Sequence, residues 1–363
     1  MSYRANESYW PYWLLVGLFL PVLVAMLSGR AFAVEPRRPG QESSLTRAVF
    51  GEGRLWLLSD AGVLSSITEG KDTRVEENLP EPAIELCLRD GAPAVVSCNR
   101  DGCTKWTLPR MIRGVWSVEA TLASRGDDLV ALSCSSDTVI LLTTRRLIDV
   151  SGGKSRAIDL SETLPASGMA TIHATPGYAF VGINVGEWGG GLRRIDRRTG
   201  IVALIQRNET GGLCGGPLNP ACDPVNGIAS TPWEPNCVVV AVGLVHFRPH
   251  GRLVEVCGER VQLLYYKPID EHDSDSTKRR GGEPFQTVAF FGLARAGDAL
   301  WAVGIDGLYR VDSRVRVSSV PLPNFKTIGA IRVSFDLPHL ILVLTSVNQR
   351  RSISGHVPML IPR

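Results

Sequence analysis

The residues best suited to chemistry sit in the segment Ile183–Asp196, INVGEWGGGLRRID. Glu187 and Trp188 stand at its tip, followed by three consecutive glycines. An aromatic ring offers apolar area and a quadrupole, and a neighbouring carboxylate adds an acceptor and a charge. Together they suit a sugar, a cation or a peptide. Glycine lets the backbone approach a ligand closely. The same residues also fit a purely structural wide hairpin with Trp188 folded back onto the sheet. A second pair of candidates, His246 and His250, flanks Phe247, Arg248 and Pro249. Imidazole acts as acid, base or metal ligand. If Glu187, His246 and His250 converge, they form a Glu–His acid–base site; otherwise they are solvated loop residues. Asp223 and Asn226, in the turn-forming run CDPVNG, are further contact candidates. The expected ligand-binding set is therefore Glu187, Trp188, Asp223, Asn226, His246, Arg248 and His250. His173 reads as a core histidine or one facing a central channel.

Several classes lose support. No Gly-x-Ser-x-Gly elbow and no His-Glu-x-x-His occurs. The glycine run lacks the Gly-Lys-Ser/Thr ending of a phosphate loop. The acids Asp270, Glu271, Asp273 and Asp275 lack the spacing and glycine of an EF-hand, and they read as a solvated insertion. No Cys-x-x-Cys pair suggests zinc. No cofactor and no metal are expected. The formal net charge is +3, with only six lysines, and nucleic acid is not an expected partner.

The elements that must position these residues are strands. ALWAVGIDGLYRVD (299–312) reads as strand Leu300–Ile305, a two-residue turn Asp306-Gly307 and return strand Leu308–Asp312. Asp-Gly supplies the positive φ angles of a tight hairpin. RLWLLSDAGVLSSIT (54–68) repeats the phrase. Strand-like runs continue from residue 44 to the end at a period of roughly 35 to 60 residues. Seven repeats can be counted, the third with Val118–Ala123 as its first strand and Leu129–Ser133 as its second. This pattern predicts an all-β chain, a β-propeller of seven four-stranded blades; six or eight blades or a β-sandwich are the alternatives. The Leu-Trp…Gly-Leu-Tyr phrase resembles the repeats of propellers in bacterial sensor ectodomains, closely in one repeat and loosely elsewhere. The resemblance implies a fold and not a function.

In a four-stranded blade, the turn between strands two and three lies on the same face as the connection to the next blade. That rule gathers four insertions of blades four and five on one rim: 186–191, 207–226, 244–250 and 269–283. Long loops of this kind carry binding or gating roles, or none.

Eight cysteines follow an apolar N-terminal run, Tyr9–Ser28, that ends at Ala31-Phe32-Ala33. The run predicts an exported chain, periplasmic or secreted: residues 1–33 a signal peptide or an uncleaved anchor spanning 9–28, 34–43 a linker, and 44–363 the propeller. Export favours disulfides. Cys237 and Cys257 fall opposite each other on a hairpin centred on Phe247, and Cys214 and Cys222 bracket a short loop. Cys87, Cys98, Cys103 and Cys134 leave their pairing open: Cys87 facing Cys98, or Cys98 and Cys103 bracketing a turn, are both compatible. The function expected first is capture of a ligand or protein through the blade four–five rim. A hydrolase or lyase acting on sugar or peptide material, with Glu187 and a histidine as acid and base, is the second reading. A structural module of an envelope assembly is the third.

Overall fold

A computed structural model describes residues 44–209, 211, 214–246, 248–269, 286–322, 331–346 and 356–363. The N-terminal segment 1–43, Phe247 and the acidic run 270–285 lie outside the described residues. Among those described, no helix is long and apolar enough to cross a membrane.

The chain folds into seven antiparallel sheets in sequence order, six of four strands and a seventh of three described strands. They occupy residues 45–76, 83–123, 129–159, 169–205, 225–265, 290–321 and 331–362. The innermost strand of each sheet packs on that of the next, and Ile331–Leu337 returns to Leu45–Gly51. This is a seven-bladed β-propeller. One buried apolar cluster fills each gap between neighbouring blades. A second strand is therefore covered on both faces. Cys237–His246 accordingly opens with an unbroken apolar run through Val242, all of it buried. Outermost strands such as Lys154–Asp159 are largely exposed.

The third repeat differs from its sequence reading. Val118–Ala123 belongs to Val115–Ala123, the outermost strand of blade two, paired with Lys105–Ile112. Leu129–Cys134 is the innermost strand of blade three, and Val139–Thr143 is the second. The outer strand looked like an inner one because Trp116, Ala120 and Leu122 all pack inward. The turn at 299–312 also differs. Val303 pairs with Leu308, and the strands break at Ile305-Asp306. Gly307 is needed for space, since a Cβ there would come 2.8 Å from the Val320 carbonyl oxygen. Asp306 instead binds outward, accepting from Tyr309 Oη (2.7 Å) and Lys267 Nζ (2.6 Å), and so ties blade five to blade six.

All eight cysteines are paired. Cys237–Cys257 and Cys214–Cys222 form as the register implied, with Cα atoms 4.4 and 5.2 Å apart. Of the open alternatives, Cys98–Cys103 brackets its turn. Cys87 does not face Cys98, because Arg89 pairs with Ala92 and so puts Cys87 opposite Ala94. It bonds Cys134, joining the innermost strands of blades two and three.

Asp127, beside the innermost strand of blade three, is buried. Burial alone would raise its pKa. Hydrogen bonds from Arg146 and Arg145 (both 2.6 Å) and Thr143 (3.1 Å) outweigh that and hold the carboxyl below its ordinary value. A depressed acid stabilises the fold above its unfolded value, and that contribution is lost as pH falls through the folded value. Asp127→Ala is expected to cost about 3–5 kcal/mol at neutral pH. Urea unfolding across a pH series should show the gap to the unaltered chain closing below about pH 4.

Candidate functional site

The rim is built from the inside outward. The blade-five hairpin Cys237–His246/Arg248–Cys257 has ten residues in each strand, longer than its neighbours. Its innermost partner Val225–Ser230 reaches only to Val242, so the tip overhangs the sheet. At the base of the overhang Gly243 faces Gly251. A Cβ on Gly243 would lie 2.3 Å from the Phe290 backbone, so glycine here permits direct packing on blade six. Thr287 fastens the contact: Gly251 N–H donates to its Oγ1, and the hydroxyl donates to Gly251 O, both at 2.8 Å.

Arg252, on the same hairpin, holds the connection between blades four and five. Its Nη2 lies 2.5 Å from Asp223 Oδ2, and Nε and Nη2 donate to the Pro217 and Gly216 carbonyls at 2.7 and 3.1 Å. Asp223 also accepts from Asn219 N–H at 2.7 Å. The fixed connection then receives the glycine loop. Gly190 N–H donates to Pro220 O (2.9 Å) and Gly191 N–H to Asp223 O (3.0 Å). Gly189 has a φ of 74°, and a Cβ there would sit 2.2 Å from Pro220 O, so no other residue fits this turn without strain. Gly186–Trp188 forms a single 3₁₀ turn held out from this base.

The turn presents Trp188 with 75% of its surface exposed. Beside it, His246 Nδ1 lies 2.7 Å from Glu187 Oε2, the two side chains 45% and 48% exposed. Sequence candidates from two blades thus meet. His250 does not join them; its Nε2 lies 3.3 Å from the Cys222 carbonyl oxygen. The Arg248 side chain lies outside the described residues. Two expected contacts prove to be supports. Asp223 is wholly buried against Arg252. Asn226 donates to the carbonyls of Gly243 (2.7 Å) and Phe290 (2.8 Å) and accepts from Asn184 (2.5 Å), and so staples blades four, five and six. The turn signal misled here, because Asn226 lies inside the strand Val225–Ser230 and Asp223 just before it.

With this geometry the chain can be set beside known proteins. YCF48 from Cyanidioschyzon merolae is similar in structure, with 13% identity, a TM-score of 0.50, and coverage of 85% of this chain and 94% of that one. YCF48 bound to D1 peptide gives 12% identity, a TM-score of 0.52, and coverage of 84% and 91%. BamB from Moraxella catarrhalis gives 11% identity, a TM-score of 0.46, and coverage of 84% and 96%. The shared feature is the fold. No protein-family model matches the sequence, and no curated protein is similar to it.

Other rim residues carried no sequence signal. Val245, Tyr266 and Ile269 are exposed apolar side chains on the blade-five tip and its exit. In the blade walls, His173 Nε2 lies 2.8 Å from Ser230 Oγ, and burial holds its imidazole below the ordinary histidine value. It joins blades four and five as a neutral group.

The glycine loop yields a paired test. Gly189→Ala should cost about 1–3 kcal/mol and speed amide hydrogen exchange over 186–191, since both φ and the Pro220 contact oppose it. Gly186→Ala has a φ of 67° but meets open space. Its cost should stay at about 1–2 kcal/mol with exchange little changed.

Proposed function

We propose that this chain is an exported β-propeller that captures a protein or peptide segment on the rim of blades four and five, with Trp188 as the anchor. The observation that carries the reading is the exposed indole on a loop that is itself pinned at Pro220 and Asp223. Large aromatics dominate binding energy where they need no further ordering. Val245, Tyr266 and Ile269 extend the apolar surface, and the Glu187–His246 pair supplies a polar edge. Arg248 and His250 belong to the same hairpin. The propeller described as bound to D1 peptide is a precedent for a peptide ligand on this fold. Export rests on the apolar segment before residue 34 and is in keeping with four disulfides.

An acid–base enzyme is the second reading, favoured by the 2.7 Å Glu187–His246 contact. Against it, both groups are half-exposed, and catalytic pairs gain most from exclusion of water.

A photo-crosslinking residue at position 245 of the full chain, on the same rim with Trp188 kept, should trap a defined partner from envelope extract. Trp188→Ala should weaken its capture by about thirtyfold, the equivalent of a 2 kcal/mol anchor. Unchanged affinity in that variant would remove Trp188 from the interface. Turnover abolished by Glu187→Gln with binding retained would instead establish the enzyme.

A further inference from the structure

Among the described residues, the tip of the blade-five hairpin has a stretch of backbone edge with no partner. On its inner side Cys237–His246 pairs with Val225–Ser230 only as far as Val242. Gly243 still finds partners there: its N–H donates to Pro224 O at 3.3 Å, and its carbonyl accepts from Asn226 Nδ2 at 2.7 Å. Both backbone groups of Gly243 therefore point inward, away from Arg248–Cys257. The opposite strand is in the same phase. Gly251, which faces Gly243, turns its N–H and C=O outward to Thr287 Oγ1, and Pro249 turns its carbonyl outward to Thr287 N–H at 3.1 Å.

Residue pairs in an antiparallel ladder alternate between those that exchange hydrogen bonds and those that do not. Gly243 and Gly251 exchange none, so Val245 and Pro249, two residues further along, exchange none either. Proline fits that position, having no N–H to give. Val245 consequently aims its N–H and C=O inward, as Gly243 does. Among the described residues no strand pairs with it on that side and no loop backbone bonds it. Val245 is 39% exposed, so water serves both groups. The side chains of this strand alternate between two blades. Val238, Val240 and Val242 face blade four, whereas Val239 and Ala241 face blade six. His246 keeps the first phase and meets Glu187 of blade four, in the turn that carries Trp188. A residue placed opposite Val245 would face blade six, and its two neighbours would face blade four and the turn of Trp188.

We propose that the segment captured on the rim binds as an added β-strand. Its backbone bonds the N–H and C=O of Val245, and an apolar side chain next to the paired residue packs on the Trp188 indole. The occupant is an extended peptide, because the N–H and C=O of one strand residue are matched by the C=O and N–H of another chain. The proposal rests on the rim reading and adds the conformation in which the partner is held.

The test selects binders of the full chain from a display library of random linear peptides. The selected peptides should bind Trp188→Ala about thirtyfold more weakly than the parent. Each is then N-methylated at one backbone position at a time. One position should cost at least about tenfold, while its two neighbours, whose N–H groups point away from the edge, should stay within about threefold. Val245→Pro deletes the donor and no bond of the hairpin. It should melt as the parent does and bind at least about fivefold more weakly. Val245→Thr keeps both the N–H and the branched side chain, and should bind as the parent does. The methylation scan uses the unaltered chain, so it decides the matter even if Val245→Pro fails to fold. Peptides that need Trp188 but tolerate methylation at every position, or bind a folded Val245→Pro as tightly as the parent, overturn strand addition and leave the rim reading standing. If no peptide is selected, or all bind Trp188→Ala as well as the parent, the rim reading falls and strand addition falls with it.

Discussion

The rim hangs on one buried ion pair, Arg252 with Asp223, both almost wholly withdrawn from water. Such a pair adds little net stability, because desolvating two charges offsets most of their attraction. Its value lies in what it forbids. With Arg252 also committed to the carbonyls of Pro217 and Gly216, the blade four–five connection has one place to lie. That connection offers Pro220 and Asp223 carbonyls to the glycine loop, and the loop in turn holds out Glu187 and Trp188. Loss of either charge would strand the other in the interior, so the arrangement works as a unit.

The opposite face makes a contrast. There the buried Glu255 carboxylate accepts from Trp233 Nε1 (2.8 Å), Gln262 Nε2 and Arg314 Nε (3.0 and 3.1 Å), and Arg314 also reaches Glu234. Trp233 spends its indole on a neighbour and closes the junction of blades five and six, whereas Trp188 keeps its indole free of the core. Two tryptophans in loops of blades four and five thus do opposite work, one locking the scaffold and one facing solvent.

Much of the fold was legible because blades repeat a local grammar. Covered strands give unbroken apolar runs such as Val238–Val242, and the register of one hairpin was enough to pair Cys237 with Cys257. Because strand-two turns share a face with interblade connections, the sequence places Glu187 and His246 on one rim, where they meet. What was illegible is non-local. Arg252 finds Asp223 across 29 residues, with nothing in either neighbourhood to mark the match. Asp223 and Asn226 looked like turn residues, but Asp223 is buried on Arg252 and Asn226 sits in the strand Val225–Ser230, bonded across blades, which a single sequence does not display.

The ring also closes in a particular way. Six of its gaps join blades that are consecutive in the chain. The gap between blades seven and one is filled by Ala48, Leu337, Leu342 and Leu344, with Leu45, Phe50, Leu55, Leu57 and Leu340 packed around them. Here the first described blade meets the last, so the conformational entropy of drawing distant segments together falls on this seam and not on the others. Loop-closure entropy grows only as the logarithm of the intervening length, so this seam costs little more to close than a shorter loop would. The contacts of longest sequence separation are also the slowest to form. On that ground the joint between blades seven and one is expected to close after the joints between consecutive blades.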